Sequence, residues 1–154
     1  KLVDSSYTYT VESITVTGAK GGTATYTFGG TEGKGGNWNI TGSAPASGYS
    51  YTFDNTVTAK DGIYDYTQND NSLMLYPQSL TDAKIIVKYK TERDNATFFN
   101  DSKEVSLTGE WTNGQSIRYI LTLPVGAEEM SVNTTYDENW DATDNEQTPK
   151  NPAS

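Results

Sequence analysis

Along this chain apolar residues fall at every second position over short stretches, and glycine, proline, asparagine and aspartate separate the stretches. A period of two puts one set of side chains on one face of an extended strand and turns the other set away from it. In VESITVTG the pattern predicts Glu12, Ile14 and Val16 on one face and Val11, Ser13 and Thr15 on the other. TATYTF groups Ala24, Tyr26 and Phe28, and NWNIT and GYSYTF read as two further short strands joined by GSAPAS. The alternation is cleanest in DAKIIVKYK, with Ala83, Ile85, Val87 and Tyr89 inward and Lys84, Lys88 and Lys90 outward. It is equally clear in SIRYILTL, with Ile117, Tyr119, Leu121 and Leu123 inward and Arg118 and Thr122 outward. EVSLTGEW and EEMSVNTTY complete the set.

One stretch breaks the rhythm. SLMLYPQSL, residues 72–80, holds four consecutive apolar residues, Leu73 to Tyr76, stopped by Pro77 and Gln78. Proline fixes φ and has no N–H to give to a ladder, so the run predicts a core strand that ends at Pro77. Gln78 is then placed to hydrogen-bond backbone in the turn before the Ala83–Tyr89 strand. GGTEGKGG (29–36) predicts a hairpin tip, and 54–71 and 91–104 predict long polar connections, the second holding Phe98 and Phe99. Residues 1–136 therefore form one all-β, antiparallel sandwich domain of about seven to nine strands. Residues 137–154, acidic and then proline-containing, form a flexible tail.

Composition narrows the function. The 154 residues include 11 Tyr and 14 Gly, are only 34% hydrophobic, and carry a net charge of −9. Tyrosine and threonine favour pleated surfaces, and the lean apolar content asks for an economical core. The negative charge opposes binding to nucleic acid or to an anionic membrane surface. No stretch has the length of a membrane-spanning helix, and KLVDSSYTYT lacks the apolar core of a signal peptide, as expected of a mature form or a fragment.

There is no histidine and no cysteine. Ser-His-Asp and Cys-His nucleophile arrangements are thereby excluded, and a zinc site loses its usual ligands. The acids lie mostly in loops and in the tail, where they read as solvated charge, so no enzyme activity, cofactor or metal is expected. Lys34 is followed by Gly35 and by no helix, so the glycine-rich loop is not a phosphate cradle. Asp65, Asp70 and Asn71 lack the spacing and closing glutamate of a calcium loop. The Asn-x-Ser/Thr sequons at Asn39, Asn95, Asn100 and Asn133 arise easily in a chain rich in Asn and Thr. Trp111, before a TNG turn, is expected in the core. Trp38, Tyr49 and Tyr51 stand between two roles, cross-strand packing or a surface on which a glycan stacks.

Several of these pieces occur in an order that resembles the C-terminal half of the fimbrillin family, the type V pilus subunits and related surface proteins of Bacteroidales. They are an apolar strand ending in Pro-Gln (Leu73, Leu75, Pro77, Gln78), a strand like Ile85–Tyr89, a Trp-x-x-Gly turn leading to a Tyr-containing strand (Trp111, Gly114, Tyr119), and a last strand ending near Trp140. The resemblance covers nearly the whole chain. It implies a transthyretin-like sandwich, the C-terminal one of two such domains. It further implies a lipoprotein of the outer membrane and cell surface, whose export and lipidation signals lie upstream. Its expected partners are other fimbrial subunits, joined by β-strand addition, and a glycan or protein receptor. The expected function is a structural or adhesive component of a fimbria, as stalk, tip or anchor. The tail offers only Trp140 and Ala142 as apolar candidates for a donor strand, and Pro149 and Pro152 interrupt it, so a tip, an anchor or a non-polymerising surface adhesin is expected at least as much as a stalk. The alternative is a carbohydrate-binding β-sandwich module of a surface glycan-binding system.

Overall fold

The structure is a computed structural model that describes residues 1–4, 6–29, 36–53, 64, 66 and 72–136. Among these residues the chain is all-β and antiparallel, with no helix and ten strands. They are β1 (Thr8–Thr17), β2 (Ala24–Thr27), β3 (Asn37–Ile40), β4 (Tyr49–Thr52), β5 (Gln78–Ser79), β6 (Lys84–Arg93), β7 (Ala96–Ser106), β8 (Glu110–Trp111), β9 (Ile117–Thr122) and β10 (Ser131–Tyr136). The main sheet has the order β4-β1-β6-β7, and β9–β10, β2–β3 and β5–β8 form three two-stranded ladders.

The inner face of the main sheet is the one that alternation in residues 82–90 predicts. Ala83, Ile85, Val87 and Tyr89 are buried, and Thr91 joins them. Full burial of the Ile85 and Val87 side chains contributes about 1.5–3 kcal/mol each. The outward lysines pair on the other face, Lys84 with Glu104 at 2.7 Å and Lys88 with Glu12 at 2.6 Å. Such exposed pairs contribute little to stability.

β1 corrects the predicted faces. Tyr9 and Val11 sit at odd positions and Ile14 and Val16 at even ones, so a regular strand could turn only one pair inward. A bulge between Val11 and Ser13 absorbs the change of phase. Val11 lies opposite Tyr89 and Ile14 opposite Val87, so all four side chains share the inner face. Glu12, the extra residue, turns to Lys88 instead of sharing a face with Ile14.

Residues 91–104, expected as a polar connection, are mostly hairpin. β6 and β7 meet through a two-residue turn in which Asp94 and Asn95 both have positive φ (53° and 62°), between the paired residues Arg93 and Ala96. This is the turn whose twist matches that of the flanking strands, and Asp and Asn tolerate the left-handed region better than other residues with a Cβ. Apolar alternation is hidden in β7 because its inner positions, opposite Ile85, Val87, Tyr89 and Thr91, are Val105, Lys103, Asp101 and Phe99. β7 is the last strand of its sheet among the described residues. Charged residues on its inner face discourage a further strand from pairing there, and the Lys103 ammonium rests 5.0 Å from the Phe99 ring centre.

The core is closed from the other side by Leu80, Leu107, Leu123 and Met130, with Trp111, Tyr119, Leu121 and Val132 packed against it. Two hydroxyls of β6 tie the layers together, Tyr89 donating to the Pro124 carbonyl (2.8 Å) and Thr91 to the Val125 carbonyl (2.6 Å). Residues Lys1–Val3 run parallel to the end of β9. The Lys1 ammonium donates to Leu121 O (2.7 Å), Leu123 N–H to Lys1 O (2.8 Å) and Val3 N–H to Leu123 O (3.3 Å).

The apolar run at 73–76 is not a core strand. Leu73 is 38% exposed and Met74 is 96% exposed, while Leu75 and Tyr76 are half-buried. Four consecutive apolar residues need cover on both faces, and among the described residues only one side is packed. β5 begins after Pro77 rather than ending at it, which suits a residue with no N–H to donate. The predicted strand 104–111 is likewise broken between β7 and β8, where Gly109 takes φ 92°. The tip 30–35, most of the connection 54–71 with Asp65, Asp70 and Asn71, and the tail with Trp140 lie outside the described residues.

Candidate functional site

Gln78 organises the region around Pro77. Its backbone pairs with Trp111 in the β5–β8 ladder. Its side-chain Oε1 accepts from Lys20 N–H (2.7 Å), while Nε2 donates to Lys20 O (3.0 Å) and Tyr76 O (3.1 Å). The amide thus pins the connection between β1 and β2. The predicted partner, backbone in the turn before β6, is replaced by backbone of the β1–β2 connection. Gly18, at φ 75°, lets this connection pass against Asp82, where a Cβ would collide with the Asp82 carbonyl.

The β2–β3 hairpin stands beside this junction. Tyr26 and Trp38 are cross-strand partners with ring centres 5.0 Å apart, and Trp38 reaches Tyr76 at 5.2 Å. The Tyr76 hydroxyl donates to Gly22 O (3.2 Å), and Gly36 N–H donates to the Tyr26 hydroxyl (2.7 Å). Trp38 is held on two sides and still 38% exposed.

Between the hairpin and β5 lies an open cleft of about 300 Å³, lined by Lys20, Trp38, Pro77, Gln78, Thr81 and Asp82 among others. Lys20 and Asp82 have no ion-pair partner among the described residues. The Thr81 hydroxyl shares a hydrogen bond with Ser79 (3.0 Å). Among the described residues one acid, Asp82, lines this cleft, and its carboxylate can accept hydrogen bonds.

The structure brings together Trp38, Pro77 and Gln78. Tyr49 and Tyr51 are not among the residues lining the cleft; they stand on β4 opposite Val16 and Ile14, half-buried on the inner face of the main sheet, with the Tyr49 hydroxyl against Gly21. Leu73 and Leu75 approach no strand partner. Trp111 is half-buried against the core as expected, its indole N–H donating to the Tyr119 hydroxyl (2.7 Å) across a turn in which Gly114 takes φ 71°. Lys20, Thr81 and Asp82 escaped the sequence reading. GAKGG and LTDA announce turns, and only tertiary pairing sets those two turns on one cleft.

Buried tyrosines elsewhere have shifted acidities. Burial pushes the hydroxyls of Tyr9, Tyr66 and Tyr89 above the usual tyrosine range. Among the described residues, those of Tyr9 and Tyr66 have no hydrogen-bond partner.

Comparison with family models, with curated proteins and with solved structures yields no match to this chain.

Proposed function

We propose that this chain is a non-catalytic structural or adhesive protein of the cell surface and outer membrane, a fimbrillin-like component that joins neighbouring subunits by strand addition. The observation that supports it is the ladder of Lys1–Val3 on Leu121–Leu123. An extended segment there satisfies the backbone of an edge, the physical basis of strand addition. The guarded inner face of β7 disfavours the same event at that edge of the main sheet. The order of motifs around Pro77, Trp111 and Tyr119 favours the same reading. Size-exclusion chromatography with light scattering tests it on the full chain and on a chain lacking Lys1–Val3. Uncovering the Leu121–Leu123 edge is expected to give concentration-dependent oligomers. Strictly monomeric behaviour of both forms argues against assembly.

A second reading has its own support. Trp38 offers an exposed ring at the wall of a cleft with polar groups around it, the arrangement a carbohydrate-binding module uses. An adhesive tip satisfies both readings.

A further inference from the structure

We infer that the cleft between the β2–β3 hairpin and β5 binds one neutral pyranose unit of a glycan, with Trp38 as the stacking surface and Asp82 and Lys20 as the groups that read its hydroxyls. The inference rests on the carbohydrate-binding reading and gives it a place and a ligand class.

Trp38 is exposed and yet held in place. Packing against Tyr26 and Tyr76 fixes the indole, so little side-chain entropy is lost when a ligand covers it. A sugar ring has apolar C–H faces and polar edges, and a fixed aromatic ring at the side of a cleft covers one such face.

Asp82 and Lys20 bring opposite charges to the same cleft. Asp82 supplies only acceptors and Lys20 only donors. Neither is neutralised by a protein partner among the described residues. A hydroxyl both donates and accepts, so a ligand with neighbouring hydroxyls can meet both residues at once. A carboxylated or sulfated sugar would gain at Lys20 but meet Asp82 and a chain of net charge −9. A cationic ligand would meet Lys20 with the opposite conflict. Neutral and rich in hydroxyls is the class that uses both side chains.

The cleft is also preorganised. Gln78 spends its amide on Lys20 and Tyr76 backbone. It therefore serves as a positioning residue that holds the base of the Lys20 side chain against β5, and it leaves ligand contact to Lys20, Asp82 and Thr81.

The test probes the full chain on an array of neutral hexose and N-acetylhexosamine oligosaccharides, printed beside sialylated, uronate-containing and sulfated ones. The best neutral probe is then titrated by calorimetry against Asp82→Asn, Lys20→Ala and Trp38→Ala. Circular dichroism and thermal melts accompany each variant, because Trp38→Ala also removes hairpin packing, whereas Asp82→Asn and Lys20→Ala leave the core untouched. Capture of neutral glycans, with affinity reduced roughly tenfold or more in Asp82→Asn and in Lys20→Ala, is the expected result. Capture that none of the three variants weakens overturns the site and leaves the carbohydrate-binding reading standing. Capture of acidic glycans alone overturns the ligand class. Capture of no glycan overturns the inference and the reading beneath it together.

Discussion

Gln78 grips the backbone of Lys20 from both sides, accepting from its N–H at 2.7 Å and donating to its carbonyl at 3.0 Å. A side-chain amide has one acceptor and one donor group with the spacing of a peptide, so this residue adds a rung where the main chain has none. Gln78→Ala removes three hydrogen bonds from a half-buried junction and is expected to cost about 1–3 kcal/mol in urea unfolding. Gln78→Glu keeps the acceptor but sets a carboxylate against the Lys20 and Tyr76 carbonyls, and is expected to be the more damaging of the two above the carboxyl pKa. Equal midpoints for wild type and both variants would show that the amide does not hold the junction.

The bulge in β1 makes an unusual deletion informative. Removing Glu12 closes the bulge and sets Tyr9, Val11, Ile14 and Val16 at every second position of one regular strand, so all four keep the inner face and the register with β6. Tyr9 is wholly buried and Val11 nearly so. A cooperative thermal transition is therefore expected to survive the deletion, and its loss would show that the bulge does more than correct the phase. Glu12→Ala, which keeps the residue and breaks only the exposed pair to Lys88, should change stability by less than about 1 kcal/mol.

The turn at Asp94-Asn95 can be improved. Both residues have positive φ, and Asn-Gly is the favoured pair for such a turn. Asp94→Asn with Asn95→Gly is expected to raise stability by a few tenths to about 1 kcal/mol, and Asn95→Ala to lower it by about 1 kcal/mol. Chemical denaturation of the three proteins checks the order.

Alkaline pH should weaken the fold through Tyr9 and Tyr89. Burial raises both hydroxyls above their ordinary value, so the folded state holds these protons more tightly than the unfolded chain does. The stability linked to them is complete below about pH 10 and is lost as pH climbs through the higher folded-state values. A denaturant midpoint that falls with the rise of tyrosinate absorbance is the expected signature. Tyr89→Phe should cost about 1–3 kcal/mol below pH 10, because it leaves the Pro124 carbonyl without its donor.

β7 offers a test of edge protection. Asp101 and Lys103 occupy inner positions on the last strand of the main sheet. Asp101→Val with Lys103→Val completes the apolar alternation and removes the deterrent to pairing. Concentration-dependent association by sedimentation is expected for the double variant, and its absence would mean that another feature protects this edge.

The strands that alternate in apolar and polar residues were legible in sequence, as β6 and β9 illustrate. β7 was not, because its inner face carries an acid and a lysine, and the main sheet tolerates them only at its margin. The two faces of β1 were misjudged because a bulge is a relation between two strands, visible only once β6 lies alongside. The run at Leu73 misled for the opposite reason, since apolar character without alternation does not say whether a partner is present. Of the candidate site, Trp38 and Gln78 were in view, but Lys20 and Asp82 were turn residues like many others until the Gln78 amide joined their turns.

The topology of the main sheet also fixes an order of events. β6 meets β7 through a turn of two residues, a contact that forms as soon as that stretch of chain is free. β1, by contrast, lies between β4 and β6, and Val16 must find Ile85 across most of the intervening chain. Loop closure of that size is entropically expensive and slows the pairing. Until it occurs, the β6–β7 hairpin offers Ile85, Val87 and Tyr89 with no cover on one flank. Folding should therefore be limited by the docking of the N-terminal strand, and substitutions in β1 should slow it more than equally destabilising ones in β9 or β10.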